Sequence, residues 1–205
     1  LIAFLSGSKN KQGNVGIIQP TSLDLDANGE WSGDYNLNAT LNLAGCILET
    51  KHQLFNNMAS SANLVNGTVL IGDGATVDCA IANTNNGTIE RINVTTTSEL
   101  STAKATVAGL VKENHGTIYQ CTSTLTVNGT TGYNVGDATT KYIGGIAAVS
   151  TSPDGSMAVI DGCTVNASVN GTDGIYGGGI VGYVSGRVSN NIFEYGITVS
   201  QDVTY

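Results

Sequence analysis

The stretch Asp24-Leu25-Asp26-Ala27-Asn28-Gly29-Glu30 is where this chain comes nearest to a cation-binding motif. Asp-x-Asp-x-Asn-Gly opens an EF-hand-like calcium loop, in which alternate side chains turn toward one cation and the glycine permits a sharp turn. Asp24, Asp26, Asn28 and Glu30 are the candidate ligands. The twelfth position falls on Tyr35, which has no carboxylate, although Asp34 is adjacent. The competing reading is a β-hairpin, with Asn28-Gly29 as a type I′ turn joining SLDLDA to EWSGDY. The hairpin leads, and calcium stands as the alternative.

Other residues with catalytic potential are scattered. The histidines, His52 and His115, lie in neither a Gly-x-Ser-x-Gly nor a His-Glu-x-x-His setting, and both read as turn or solvent-facing residues. The glycine-rich run Tyr176-Gly177-Gly178-Gly179 lacks the lysine that completes a phosphate-cradling loop. Carbohydrate hydrolysis needs two carboxylates roughly 5 to 9.5 Å apart. In a 21-residue register Asp73 has no acidic partner, and Glu194 has only Asp173, which falls in an expected loop with Asp137 and Asp154. Arg91 and Arg187 are the two arginines, and Arg187 is flanked by Ser185 and Ser189 rather than by acids. The expectation is a non-catalytic protein, with a carbohydrate-active lyase or hydrolase as the alternative.

The elements that would position these groups are announced by a repeat. CAIANTNNGT, CTSTLTVNGT and CTVNASVNGT begin at Cys79, Cys121 and Cys163, a spacing of 42, and Asn-Gly-Thr recurs at Asn66, Asn86, Asn128 and Asn170. These spacings read as coils of about 21 residues. Short Val, Ile and Leu clusters broken by Gly and Asn point to all-β structure, and a period in this range marks a unit that buries its apolar face by stacking on the next. A parallel β-helix fits best. A second register runs beside the first: Gly109–Gly116 resembles Gly179–Gly186, with Gly145–Val149 between them, and Asn86-Gly87-Thr88-Ile89 echoes His115-Gly116-Thr117-Ile118 at a spacing of 29. The two registers require insertions, expected at 131–141 and 150–156.

GLVKENHGTIYQCTSTLTV, GGIAAVSTSPDGSMAVIDGCTVNASV and GGIVGYVSGRVSNNIFEYGITV resemble degenerate copies of the GLUG repeat: Gly-Leu-Val-Gly, then Asn-x-Gly-x-Ile, then Asn-Cys. The resemblance covers about residues 75–200 and lacks the fourth glycine in the copies at 109 and 145. GLUG repeats occur in large bacterial surface proteins, including adhesin-like proteins and the outer regions of some immunoglobulin-cleaving proteases. The resemblance therefore implies a β-solenoid on an exported protein, at the cell surface or outside the cell, and implies no catalysis.

With 21-residue coils, cysteines 42 apart lie two rungs or about 9.5 Å apart, beyond the roughly 7 Å Cα limit for a disulfide. Buried thiols in one stack, with Leu100 and Tyr142 on the intervening rungs, are the leading expectation; one disulfide and a metal site remain open. The seven sequons, at Asn38, Asn66, Asn86, Asn93, Asn128, Asn166 and Asn170, read as turns and chance in an Asn- and Thr-rich chain rather than as glycosylation sites.

The chain has 205 residues, 12% of them charged, a net charge of −8, 27 Gly and 2 Pro. Its eight basic residues form no cluster that could follow a phosphate backbone, so nucleic acid is not expected as a partner. No apolar run approaches the roughly 20 residues of a membrane helix, so no membrane insertion is expected. Starting at Leu1 without a basic leader, it reads as a mature form or an excised segment. The expected organisation is an N-terminal cap or hairpin region at 1–60, holding Trp31, and solenoid repeats at 61–205. The expected partner is a glycan or host surface protein, met by the loop tyrosines Tyr133, Tyr142 and Tyr176. Of these, Tyr142 is turned inward by the cysteine register. End-to-end stacking with another subunit or with further repeats is the third expectation, because the strand pattern at 196–200 shows no cap.

Overall fold

In a computed structural model of the chain, residues 35–199 are described, apart from 99, 137, 138, 154, 195 and 196; for 197–199 only the backbone is described. The Asp24–Glu30 motif and Trp31 lie outside the described residues. Among those residues every regular element is a strand, and all strand pairs but one are parallel. The chain winds through three faces in turn. Face 1 is a six-stranded sheet of Asn36–Leu37, Phe55–Met58, Ala82–Asn85, Val111–Asn114, Ala147–Thr151 and Val181–Ser185. Face 2 is a ten-stranded sheet, and face 3 a five-stranded one. The strands at 36–58, part of the region read as a cap or hairpin, pair in these same ladders: Asn36–Leu37 with Phe55–Met58, and Phe55–Met58 with Ala82–Asn85.

Alternating side chains point inward, so residues one coil apart stack in columns. Leu41, Leu64, Ile89, Ile118 and Ile160 form one column, each fully buried. Burial of each such side chain contributes about 1.5–3 kcal/mol. Corners are built as columns too. Ala62, Gly87, Gly116, Ala158 and Gly186 occupy the turn from face 1 to face 2. A Cβ on Gly116 would stand 2.1 Å from the Gly87 carbonyl oxygen, so only the smallest residues fit there. In the middle of face 2 the chain bends at residues with left-handed φ: Asn66 (61°), Arg91 (51°), Gln120 (50°), Gly162 (66°) and Asn190 (56°).

Coil length is not uniform. Side chains that meet across one step are separated by 21 residues (Asn36 and Asn57), 27 (Asn56 and Asn83), 29 (Asn85 and Asn114), 36 (Asn114 and Ser150) and 42 (Asn128 and Asn170). The 29-residue echo is therefore one coil. So is the 42-residue repeat, which corrects the reading of it as two coils of 21. The added length sits in an antiparallel hairpin, Tyr133–Asn134 with Lys141–Gly144, and in the loop at 152–158. Because constant corners and columns hold each coil, the connections between them absorb insertions.

The cysteine expectations change accordingly. Thr122 pairs with Thr164, so Cys121 and Cys163 stand on neighbouring rungs, both buried. Cys79 is buried in a separate cluster with Val107, Ala108, Ala148 and Val149, and Cys46 is exposed. Leu100 lies on no inner rung: it is 92% exposed in the 97–102 loop. At the last described rung, Val184 and Val188 are 45% and 37% exposed, although they stack on Ser150 and Ile160, which are fully buried.

Candidate functional site

Tyrosines from three segments meet where the inserted hairpin joins face 1. Tyr133 faces Tyr142 across the antiparallel hairpin, and Tyr142 pairs in parallel with Tyr176 of Ile175–Gly178. Gly144 and Gly178 are paired as well, and a Cβ on either would lie 2.0 Å from a carbonyl oxygen of the next strand, Ala147 or Val181. Glycine at these positions lets the chain turn sharply from the hairpin sheet into face 1. That turn brings Tyr183 beside the hairpin. The Tyr142 ring lies 5.9 Å from that of Tyr176 and 5.2 Å from that of Tyr183, tilted by 39° and 46°, within the range of favourable aromatic pairs.

The cluster has a fixed base and an open top. Tyr133 and Tyr142 are half-buried against the Cys79, Val107, Ala108, Ala148 and Val149 cluster, while Tyr176 and Tyr183 are 43% and 38% exposed. Burial, together with the hydrogen bond that the Tyr133 hydroxyl donates to Glu113 Oε2 (2.8 Å), pushes the Tyr133 phenol up to about 12. The other Glu113 oxygen meets His115 Nε2 at 2.9 Å, and His115 Nδ1 lies 3.2 Å from Asn86 Oδ1. His115 is thus held at a corner within a chain of side-chain contacts.

The three tyrosines singled out by sequence are brought together, and Tyr142 is at the centre of the group rather than in the cysteine column. Tyr183 was missed. Its signal was present in the alignment of Gly109–Gly116 with Gly179–Gly186, because the register Glu113↔Val149↔Tyr183 places it one and two coils from residues beneath the hairpin.

Three of the described carboxylates, Asp73, Asp78 and Asp161, are tied into the scaffold. Asp73 accepts hydrogen bonds from the Thr102 backbone and Ser101 hydroxyl, which hold its carboxyl below the usual range. Asp78 is raised by burial but lowered further by Lys112 and Thr106, with a net downward shift. Asp161 accepts 2.8 Å bonds from Ser189 and Asn190, with Arg187 at 4.0 Å, and is also held low. Arg187 therefore does have an acid nearby, on the preceding coil. Among the described residues no group of three His, Cys, Asp or Glu side chains could hold a metal ion. A groove of about 670 Å³ runs between faces 2 and 3, lined by hydroxyls and an amide that include Thr95, Thr124, Thr126, Asn166 and Ser168.

No family model matches the chain, and neither a curated protein nor a solved structure matches it.

Proposed function

We propose that the protein is a non-catalytic, adhesin-like or stalk segment of a bacterial surface protein, and that it holds a glycan on the tyrosine cluster. The observation that carries this reading is the convergence of Tyr133, Tyr142, Tyr176 and Tyr183 from separate segments onto one partly exposed surface. Phenol rings offer apolar faces to the C–H side of a sugar ring, and their hydroxyls are both donors and acceptors. The stiff ladders beneath them limit the ordering cost of binding. The degenerate GLUG repeats support an extracellular or cell-surface location, and the exposed Val184 and Val188 support stacking of a second copy or of further repeats on the last rung.

The test is a glycan array probed with the whole chain, with calcium and with EDTA, beside the Tyr176→Ala/Tyr183→Ala double variant. Binding that the double variant loses at least tenfold, with the sugar recovered intact, supports the reading. Loss of binding in EDTA would assign the calcium role to Asp24, Asp26, Asn28 and Glu30. Cleavage of a bound sugar would replace the adhesin with the carbohydrate-active enzyme, and equal binding by the double variant would move the site elsewhere.

A further inference from the structure

The Cys121 and Cys163 pair is a cluster of side chains separate from the tyrosines. Neighbouring parallel rungs stand about 4.8 Å apart, inside the roughly 4.4–6.8 Å over which a disulfide joins Cα atoms. The backbone locks this register: the Thr164 amide donates to the Cys121 carbonyl at 2.9 Å, beside the Thr122↔Thr164 pair. Both residues immediately follow a left-handed corner residue, Gln120 and Gly162, so the two side chains leave equivalent bends in the same direction. Each sulfur lies close to the carbonyl oxygen two residues before it, 3.4 Å to Tyr119 and 3.6 Å to Asp161. The Cys163 sulfur also reaches across to the coil of Cys121, 3.8 Å from the Ile118 oxygen. Cys79 is bonded elsewhere, to Gln53 and Ala82, and Cys46 is exposed on the first described coil.

We infer that Cys121 and Cys163 form a disulfide between two neighbouring coils when the chain folds in the presence of a small-molecule disulfide such as glutathione disulfide. The thiolate of one cysteine of the pair attacks one sulfur of glutathione disulfide and expels a glutathione thiolate, giving a mixed disulfide. The other cysteine gives its proton to solvent, attacks the cysteine sulfur of that mixed disulfide, and expels the second glutathione thiolate. The two cysteine sulfurs lose two electrons in all, the oxidant gains them, and the two protons end on the released glutathione. Both thiols are closed off in the finished core, which places the exchange during coil docking and then shields the bond from reductants.

The test uses the whole chain, refolded in a glutathione redox buffer, denatured with N-ethylmaleimide and weighed intact. Two labels in place of four, with tryptic peptides 113–141 and 142–187 joined, are expected. Cys163→Ser should accept three labels, and Cys79→Ser should keep the joined pair with one label. Four labels on the oxidised wild-type chain, or a link through Cys46 or Cys79, would overturn the inference.

Discussion

Replacing Asn114 by alanine tests the fold at its most interconnected polar position. Asn114 is fully buried, and its Oδ1 accepts from the Asn85 amide at 2.8 Å. Its own amide donates toward Ser150 Oγ at 3.1 Å and the Gly116 carbonyl at 3.2 Å. Three such bonds at about 1 kcal/mol net each, plus about 1 kcal/mol or more for the buried Asn85 donor left without that acceptor, give a loss of about 4 kcal/mol. With a urea dependence of about 2–3 kcal/mol per M, the unfolding midpoint should fall by about 1.3–2 M. Asn57→Ala removes only an exposed 3.3 Å contact to Asn36 and should move stability by no more than about 0.5 kcal/mol. Asn114→Asp has nearly the shape of asparagine, yet sets carboxylate oxygens against the Ser150, Gly116 and Val159 oxygens. It should destabilise at least as much as alanine, which separates polar pairing from volume. Urea unfolding followed by far-UV circular dichroism reads all three variants. A midpoint for Asn114→Ala no lower than that of Asn57→Ala would refute the buried ladder.

Gly116→Ala places a methyl 2.1 Å from the Gly87 oxygen, against backbone that cannot rotate away, and should cost about 2–3 kcal/mol in the same assay; a neutral result would mean that the corner column is not closely packed. Asp161 has a folded pKa below its ordinary value of 3.8 because Ser189 and Asn190 bond to the carboxylate. Its contribution is therefore present above 3.8 and is lost as pH falls through the lower folded value. Asp161→Asn should flatten this acid limb in a series of urea midpoints taken from neutral pH downward, and superimposable profiles would refute the assignment.

All-β structure was legible from composition, and the local echo of Asn86-Gly87-Thr88-Ile89 in His115-Gly116-Thr117-Ile118 already marked one coil, with Thr88↔Thr117 and Ile89↔Ile118 as direct neighbours. The 42-residue repeat suggests two coils of 21 because two short steps and one lengthened step leave the same trace in a chain: Asn128 and Asn170 match whatever lies between them. Ladder partners depend on coil length, which no local pattern records. For that reason the stacking of Cys121 on Cys163, and of Asn85 on Asn114 and Ser150, was out of reach. Tyr183 was hidden differently, since its neighbours belong to a hairpin that only the folded insertion brings near.

Unequal coils also shape how such a rod would yield under tension. The hydrogen bonds between coils run along the stacking axis, so a pull on the two ends loads them lengthwise, and the rod peels from a terminus one turn after another. Each turn then releases slack in proportion to its own length: about 70–75 Å for a step of 21 residues and about 120–130 Å for one of 36, at roughly 3.3–3.6 Å per residue. The insertions that obscure the repeat would thus set how much chain is released at each break, giving graded steps instead of uniform ones.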